Sequence, residues 1–425
     1  MTMAARIGFA EADITPPVGT AKIGWKKLIV SDTVLDPLYA KAAVVLADGD
    51  SVGLVQLDTL SIRWTQVNEI RDRVSEEFGF PGSSILVGAT HNHAGPAVAD
   101  AGDVKRDEEY VNFLVERVVE AIGQAIENAV PAEIGMGHCA EFRVGFNRRV
   151  VMRDGTVRTH GTFNDPDSLC VEGPIDPEVH VLAARDGEGS PLGCIVNFGC
   201  HPAHHGGTTE LSGGFPEVVA SIMEKRGWPV TIFLDGSSGN VTTVDPARGG
   251  YNVPKEEAGS ILADDVSHIL ESVSYTSEVE VGARSRRLEL PFRELTRDQL
   301  EGTARGAQRF IDSEIYEREM PRLVERVRSM GSQPAEVQAV FVNDSAYIGV
   351  PAEFFAELGL EIKERCYPVE AKIVGQANGM VGYVPTAEAF ERGGYETTLC
   401  GSSRLAPEAG GMLVDGAVEL VKSRG

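Results

Sequence analysis

Apolar residues recur along the chain in two alternating rhythms. Short uninterrupted runs at residues 84–90, 193–199 and 230–235 are bounded by Gly, Pro and polar clusters, and they read as buried strands. Residues 42–46 and 52–57 flank Asp48-Gly49-Asp50 and predict a hairpin. Helical patterns lie at 65–78, 256–273 and, most clearly, 108–130. In the last, Tyr110, Val111, Leu114, Val118, Ile122, Ala125 and Ala129 repeat at helical spacing until Pro131 closes the element. This alternation predicts an α/β fold with a mixed central sheet flanked by helices.

Residues 144–179 break the rhythm. They carry Asn147-Arg148-Arg149, Asp154-Gly155, Asn164-Asp165-Pro166 and Gly173-Pro174, and read as a long ordered excursion of the kind that shapes a binding site. Near residue 275 the composition shifts. A strand at 278–289 leads into a charged helical stretch over 296–330, broken near Met320-Pro321. Strands at 337–342, 346–350 and 372–376 and helices over 352–366 and 407–422 follow. Two divisions stay open: one domain over 1–425, or a core at 1–275 completed by a subdomain at 276–425.

Composition narrows the function. The 425 residues are 42% hydrophobic and 24% charged, enough for a sizeable core. Lys plus Arg number 39 against 63 Asp plus Glu, a net charge of −24. Such a surface repels phosphate backbones and anionic bilayers, which argues against nucleic-acid and membrane partners but says little about a small-molecule substrate. The 6 cysteines include no CxxC pair and read as reduced thiols. No apolar run approaches the roughly 20 residues that span a bilayer, and the N-terminal stretch has no secretory apolar segment. The expectation is a cytoplasmic protein. The charged stretch at 296–330 offers a surface for a second copy, so a homo-oligomer stays open.

Candidate chemistry clusters after strands. Thr90-His91-Asn92-His93-Ala94-Gly95-Pro96 follows the run at 84–90; if extended, it sends His91 and His93 to one side. An HxH pair can chelate a metal, or supply one ligand and one base, or be two polar loop residues. Cys200-His201-Pro202-Ala203-His204-His205 follows the next buried run; His201, nearest the strand end, leads, with His204 and His205 behind it. Asp235-Gly236-Ser237-Ser238-Gly239-Asn240 is a small-residue turn whose backbone can approach a substrate and whose Ser can donate a hydrogen bond or attack. In Gly349-Val350-Pro351-Ala352-Glu353 an acid precedes a predicted helix. It reads first as a favourable helix-terminal charge, and second as the carboxylate that two His ligands on zinc call for. Tyr383 sits in the Gly-rich Asn378-Gly379-Met380-Val381-Gly382-Tyr383-Val384-Pro385. On the residues alone, Asn147-Arg148-Arg149 reads as a solvated salt-bridging patch.

These elements, in this order, resemble the catalytic domain of the neutral/alkaline (non-lysosomal) ceramidase family. The likeness begins at Gly8-Phe9-Ala10-Glu11-Ala12-Asp13-Ile14-Thr15-Pro16-Pro17 and runs through Asp36-Pro37-Leu38-Tyr39-Ala40-Lys41-Ala42 and Thr90–Pro96 to Gly394-Tyr395-Glu396. The resemblance implies a ceramidase-like α/β domain and a zinc amidase. It implies Zn2+ ligands His91, His201, Glu353 and Tyr383, with Tyr395 the fallback for the last. It implies His93 as a catalytic His, Arg148 as the group that orients the substrate carbonyl, and Ser238 as the catalytic Ser. The chain departs from the pattern at Gly239, where the family has proline, at Leu211–Pro216, which lacks an acid before the aromatic-Pro pair, and in a short Glu353-to-Tyr383 spacing. At this length the chain is also expected to be without the family's C-terminal immunoglobulin-like domain, and no helix looks built to extract a lipid. The expectation is therefore hydrolysis of an amide-like bond in a small soluble substrate. The alternatives are a metal-dependent hydrolase or lyase of another bond, and a non-catalytic binding homologue. All of this requires His91 and His201 to share one site.

Overall fold

The computed structural model describes residues 5–424. Its central sheet runs in the order Thr231–Asp235, Pro191–Phe198, Glu178–Asp186, Val130–Ala140, Arg6–Asp13, Tyr39–Ala47, Asp50–Leu57, Ile85–Ala89. The short strand Tyr275–Thr276 also pairs with Val130–Ala140. The outermost pair at each end of the row is parallel and the pairs between are antiparallel. The mixed sheet expected from the strand–helix alternation is therefore present.

The two halves of this sheet follow one path: three antiparallel strands, a helix, a parallel strand and a second helix. The helices of the first half are Trp64–Phe78 and Glu108–Glu127, and those of the second are Gly214–Lys225 and Lys255–Ser272. Each parallel pair needs its crossover helix, which is why a helix precedes each outermost strand. Local chemistry fits these elements. Asp48 (φ 44°) and Gly49 (φ 92°) make the left-handed turn of the Tyr39–Ala47/Asp50–Leu57 hairpin. Asp107 caps Glu108–Glu127 by accepting the Tyr110 N–H at 2.9 Å.

A second sheet, Val281–Pro291, Ser332–Val342, Ser345–Gly349 and Glu370–Val374, lies against one face of the first. Ile7, Leu54, Leu86, Ile195 and Leu234 from the central sheet share a buried cluster with Val340, Tyr347 and Val374 from the second. Helices Ala356–Cys366 and Ala409–Lys422 cover the outer face of the second sheet, giving a helix–sheet–sheet–helix stack. The central sheet curls until its two edges meet, and the Phe233 N–H donates to Gln56 Oε1 at 2.6 Å. The C-terminal ends of Ile85–Ala89, Pro191–Phe198 and Thr231–Asp235 converge there. Among the described residues, no helix is long and apolar enough to cross a membrane.

Several boundaries differ from expectation. The helix from Glu108 stops at Glu127, and Val130 and Pro131 open a strand, a start where proline's missing donor is tolerated. In that strand Gly135, Gly137, the partly exposed Glu133 and the exposed His138 dilute the pattern, and in Glu178–Asp186 buried His180 and the flanking charges cut the apolar run to residues 181–184. The charged stretch breaks at 302–312, between helices Arg297–Glu301 and Ser313–Met330, and Pro321 lies inside the second helix. The helix expected from 352 begins at Ala356, because Glu353–Phe354 pair as a strand with Tyr383–Val384.

Candidate metal centre

His91, His93 and His201 meet at the convergent strand ends. Their ligand atoms all lie within 4.8 Å of one another. The His91 and His201 ring centroids are 4.4 Å apart, and His93 lies 4.9 Å from His91 and 5.5 Å from His201. The segment after Ile85–Ala89 is not extended, as the HxH alternation supposed. His91 is left-handed (φ 61°), and the Asn92 side chain closes a turn by accepting the Ala94 N–H at 2.8 Å. Both rings still reach one space, through a turn.

Backbone carbonyls set the ring orientations. His91 Nδ1 lies 2.8 Å from the Leu60 carbonyl, and His201 Nδ1 lies 2.7 Å from the Ser238 carbonyl. A carbonyl only accepts, so each Nδ1 carries the proton and each Nε2 lone pair points inward. Glu353 enters from the second half of the chain. Its Oε2 is 3.3 Å from His91 Nε2 and 3.4 Å from His201 Nε2. The ladder partner of Glu353 is Tyr383, so the short spacing between them is what a two-residue parallel pair needs. Tyr395 stacks edge-on behind Tyr383, with 5.7 Å between ring centroids.

Within this cluster, His91 Nε2, His93 Nε2, His201 Nε2 and Glu353 Oε2 are buried and make no hydrogen bond. Orphaned buried polar atoms are costly. Three nitrogens and an oxygen aimed at one point form the donor set of a divalent transition metal. Burial, then the neighbouring His91 and Arg148, lowers the His201 pKa to about 4, and burial with His91 and His201 drives that of His93 well below its usual value. Both rings are therefore neutral at pH 7. Burial opposes the charge on Glu353, but His91 and His201 outweigh it and keep the carboxylate ionised. Burial likewise opposes a proton on His91, and Glu353 outweighs that burial. A bound cation would take that proton's place. These residues fit a metal.

Arg148 is no solvated patch. It is buried, donates from Nε to Glu396 Oε1 at 2.8 Å, and reaches the Gly239 carbonyl at 2.8 Å and the Tyr383 hydroxyl at 3.2 Å through Nη2. Arg149 donates to the other oxygen of Glu396 at 2.8 Å and also pairs with Glu172. Ser238 is fully buried; its hydroxyl donates to Asp235 Oδ2 at 2.6 Å, while its carbonyl holds His201. Burial raises the Asp235 pKa to about 7. His204 turns away to the Val253 carbonyl at 2.8 Å, and His205 faces Glu210 at 3.8 Å.

Glu396 and Asp235 are the residues that sequence reasoning left without a role. The one available signal for Asp235 was its place three residues before Ser238. At the Leu211–Pro216 corner the carboxylate comes from elsewhere: Asp36 accepts from the Gly213 N–H at 2.5 Å and from the Ser212 hydroxyl at 3.0 Å. Gly239 also has a local reason. Its N–H donates to the Phe354 carbonyl at 2.9 Å, and a Cβ there would lie 2.5 Å from the Glu353 carbonyl oxygen. A proline would lose that bond and collide.

No protein-family model matches the chain, and no curated protein matches it either. Solved structures do. A ceramidase complexed with C2 superposes at a TM-score of 0.77 and 17% identity, over 99% of this chain and 76% of its own. The neutral ceramidase from Pseudomonas aeruginosa superposes at 0.75 and 19%, over 99% and 75%. Across its length, this chain has the neutral ceramidase fold.

Proposed function

We propose that the protein is a metal-dependent hydrolase that cleaves an amide C–N bond in a small soluble substrate, with Zn2+ as its metal. The observation that carries this reading is the convergence of orphaned donor atoms on His91, His201 and Glu353, with the orphaned Nε2 of His93 beside them to act as a base. The similar ceramidase structures, named for a reaction at an amide, support the choice of bond. Residues 1–275 and 276–425 act as one catalytic unit in this reading, since the first supplies the histidines and the second Glu353 and Tyr383.

We assign His91, His201 and Glu353 as ligands, with Tyr383 completing the set. Bound there, zinc would polarise the substrate carbonyl and acidify a water molecule. In the reaction the water oxygen bonds to the carbonyl carbon, the C–N bond breaks, and the nitrogen leaves with a proton. His93, neutral and with a free Nε2, accepts a proton on the water side and returns one to the leaving nitrogen. Such a role contributes about 10²–10⁴-fold in rate. Arg148, locked by Glu396 beside the Tyr383 hydroxyl, orients the substrate carbonyl. Ser238 is a positioning residue, since its carbonyl fixes His201 and its hydroxyl is committed to Asp235.

Elemental analysis of protein purified without added metal, alongside turnover of a panel of short N-acyl amines, tests the reading. About one zinc per chain and hydrolysis that both disappear in His91→Ala are expected. Full metal content and activity in that variant overturn the assignment. A native protein free of any transition metal overturns the metal itself.

A further inference from the structure

A cavity of about 1040 Å3 opens beside the centre, with Glu353 in its wall. In a chain of net charge −24, the walls of this cavity are unexpectedly cationic. Two of its cations are neutralised locally: Lys26 by Glu319 at 2.8 Å and Arg318 by Asp103 at 2.5 Å. Arg63, Arg322, Arg326 and Arg404 also line it, and none has a carboxylate in ion-pair contact among the described residues.

Arg404 is the clearest case. It is only 6% exposed, yet its Nε makes no hydrogen bond. Its Nη1 donates to the Gly401 carbonyl and its Nη2 to Gln333 Oε1 at 3.3 Å. The same Gln333 oxygen accepts from Arg326 Nη2 at 2.6 Å, so two guanidiniums share one neutral acceptor. Burial, then repulsion from Arg326, lowers the Arg404 pKa to about 9, which leaves it charged at neutral pH. The turn that carries Arg404 is tied to the metal centre, because the Ser402 carbonyl accepts the Tyr383 N–H at 2.7 Å. Arg63 closes the segment from Leu60, whose carbonyl orients His91.

A desolvated guanidinium without a counter-charge is costly. Buried Arg404, with the exposed Arg326 sharing its one neutral side-chain acceptor, on the wall of a cavity that ends at the candidate metal centre marks a place for an anion held by charge-assisted hydrogen bonds. We propose that the substrate carries a carboxylate or phosphate group, and that Arg404 and Arg326 bind this group while the scissile amide lies at the metal centre. The inference rests on the amide-hydrolase reading above for the bond, and on the cavity alone for the anion.

Matched substrates test it. The zinc-loaded full chain is assayed with a short N-acylglycine and its carboxamide, and with an N-acylethanolamine and its phosphate ester. The anionic member of a pair is expected to lead in kcat/KM by at least about tenfold, and the better of the two anions identifies the headgroup. In Arg404→Gln and, separately, in Arg326→Gln on its helix surface, the anionic-to-neutral ratio is expected to fall towards one. A ratio near one in the wild type, or a ratio untouched in both variants, overturns the proposal. If no amide is cleaved, calorimetry with acetate and inorganic phosphate decides separately. Binding that weakens in the two variants sustains the anion site while the amide reading fails, and no binding overturns the site.

Discussion

Two arginine pairs stand near Tyr383, one wholly buried and one with only Arg404 buried, and they are built on opposite principles. Arg148 and Arg149 share Glu396, which is fully buried and accepts from both at 2.8 Å, with Thr159 Oγ1 adding a third bond at 2.7 Å. Arg404 and Arg326 share only the side-chain oxygen of a glutamine. The first group is complete within the protein, so its charges serve geometry: they hold a guanidinium beside the Tyr383 hydroxyl in one orientation. The second is incomplete, so its charges are available to something else. Burial alone does not distinguish a structural arginine from a binding one; the location of the counter-charge does.

Glu396→Gln should have the largest effect. It leaves two buried guanidiniums with Glu172 as their remaining carboxylate, and breaking a buried pair from one side costs about 3–5 kcal/mol. Chemical denaturation would show that loss, together with reduced turnover as Arg148 loosens. A variant as stable as the wild type would mean that the two clusters do not differ in kind.

Acid should expose the same contrast at slightly smaller size. Burial opposes the Glu396 charge, but Arg148 and Arg149 outweigh it and hold its pKa at about 2. A carboxyl whose pKa is lower folded than unfolded stabilises the fold fully above the unfolded value of roughly 4.3 and loses that contribution as pH falls towards 2. The amount at stake is about 3 kcal/mol. Stability measured between pH 6 and 2 should therefore fall, and Glu396→Gln should flatten the slope. An equal slope in the two proteins would place the acid sensitivity elsewhere. Glu178, held at about 2 by Lys363 and Lys372 against its own burial, accounts for part of any slope that remains.

How much of this was legible from sequence differs between the clusters. The histidines were readable because each follows an apolar strand, and local pattern predicts strand ends well. The Arg148 environment was not, because the partner that makes it structural lies 248 residues away. Glu353 looked like a helix-terminal acid because its ladder partner sits in another glycine-rich turn, and only pairing turns 353–354 into strand. The twofold path of the central sheet leaves no sequence period, since strands such as Val130–Ala140 are interrupted by glycines and partly exposed along much of their length. The cavity arginines were unreadable in principle. An unpaired charge is defined by what fails to approach it, and no local pattern records that.

Arg404→Met tests the other side of the comparison, and a smaller number is expected. The substitution removes a desolvated charge but leaves the Gly401 carbonyl without its donor. These effects oppose each other, so ligand-free stability should change by no more than about 1 kcal/mol. A loss as large as that of Glu396→Gln would show that Arg404 is structural after all, and that its counter-charge is supplied by the fold at longer range.

Arg326→Gln should change ligand-free stability least, by about 0.5 kcal/mol or less, since it sits exposed on helix Ser313–Met330 with one hydrogen bond to lose. Its absence also removes the repulsion that burial-strained Arg404 feels, and it frees the Gln333 oxygen to serve Arg404 alone. The variant should therefore melt at the wild-type temperature in buffer without anions and fall behind the wild type once inorganic phosphate is added. A ligand that binds only the folded form stabilises by RT ln(1 + [L]/Kd), so the gap should widen with phosphate concentration. Parallel melting curves at every concentration would show that Arg326 contributes nothing to an anion site, and would leave Arg404 as an isolated buried cation with no partner to explain it.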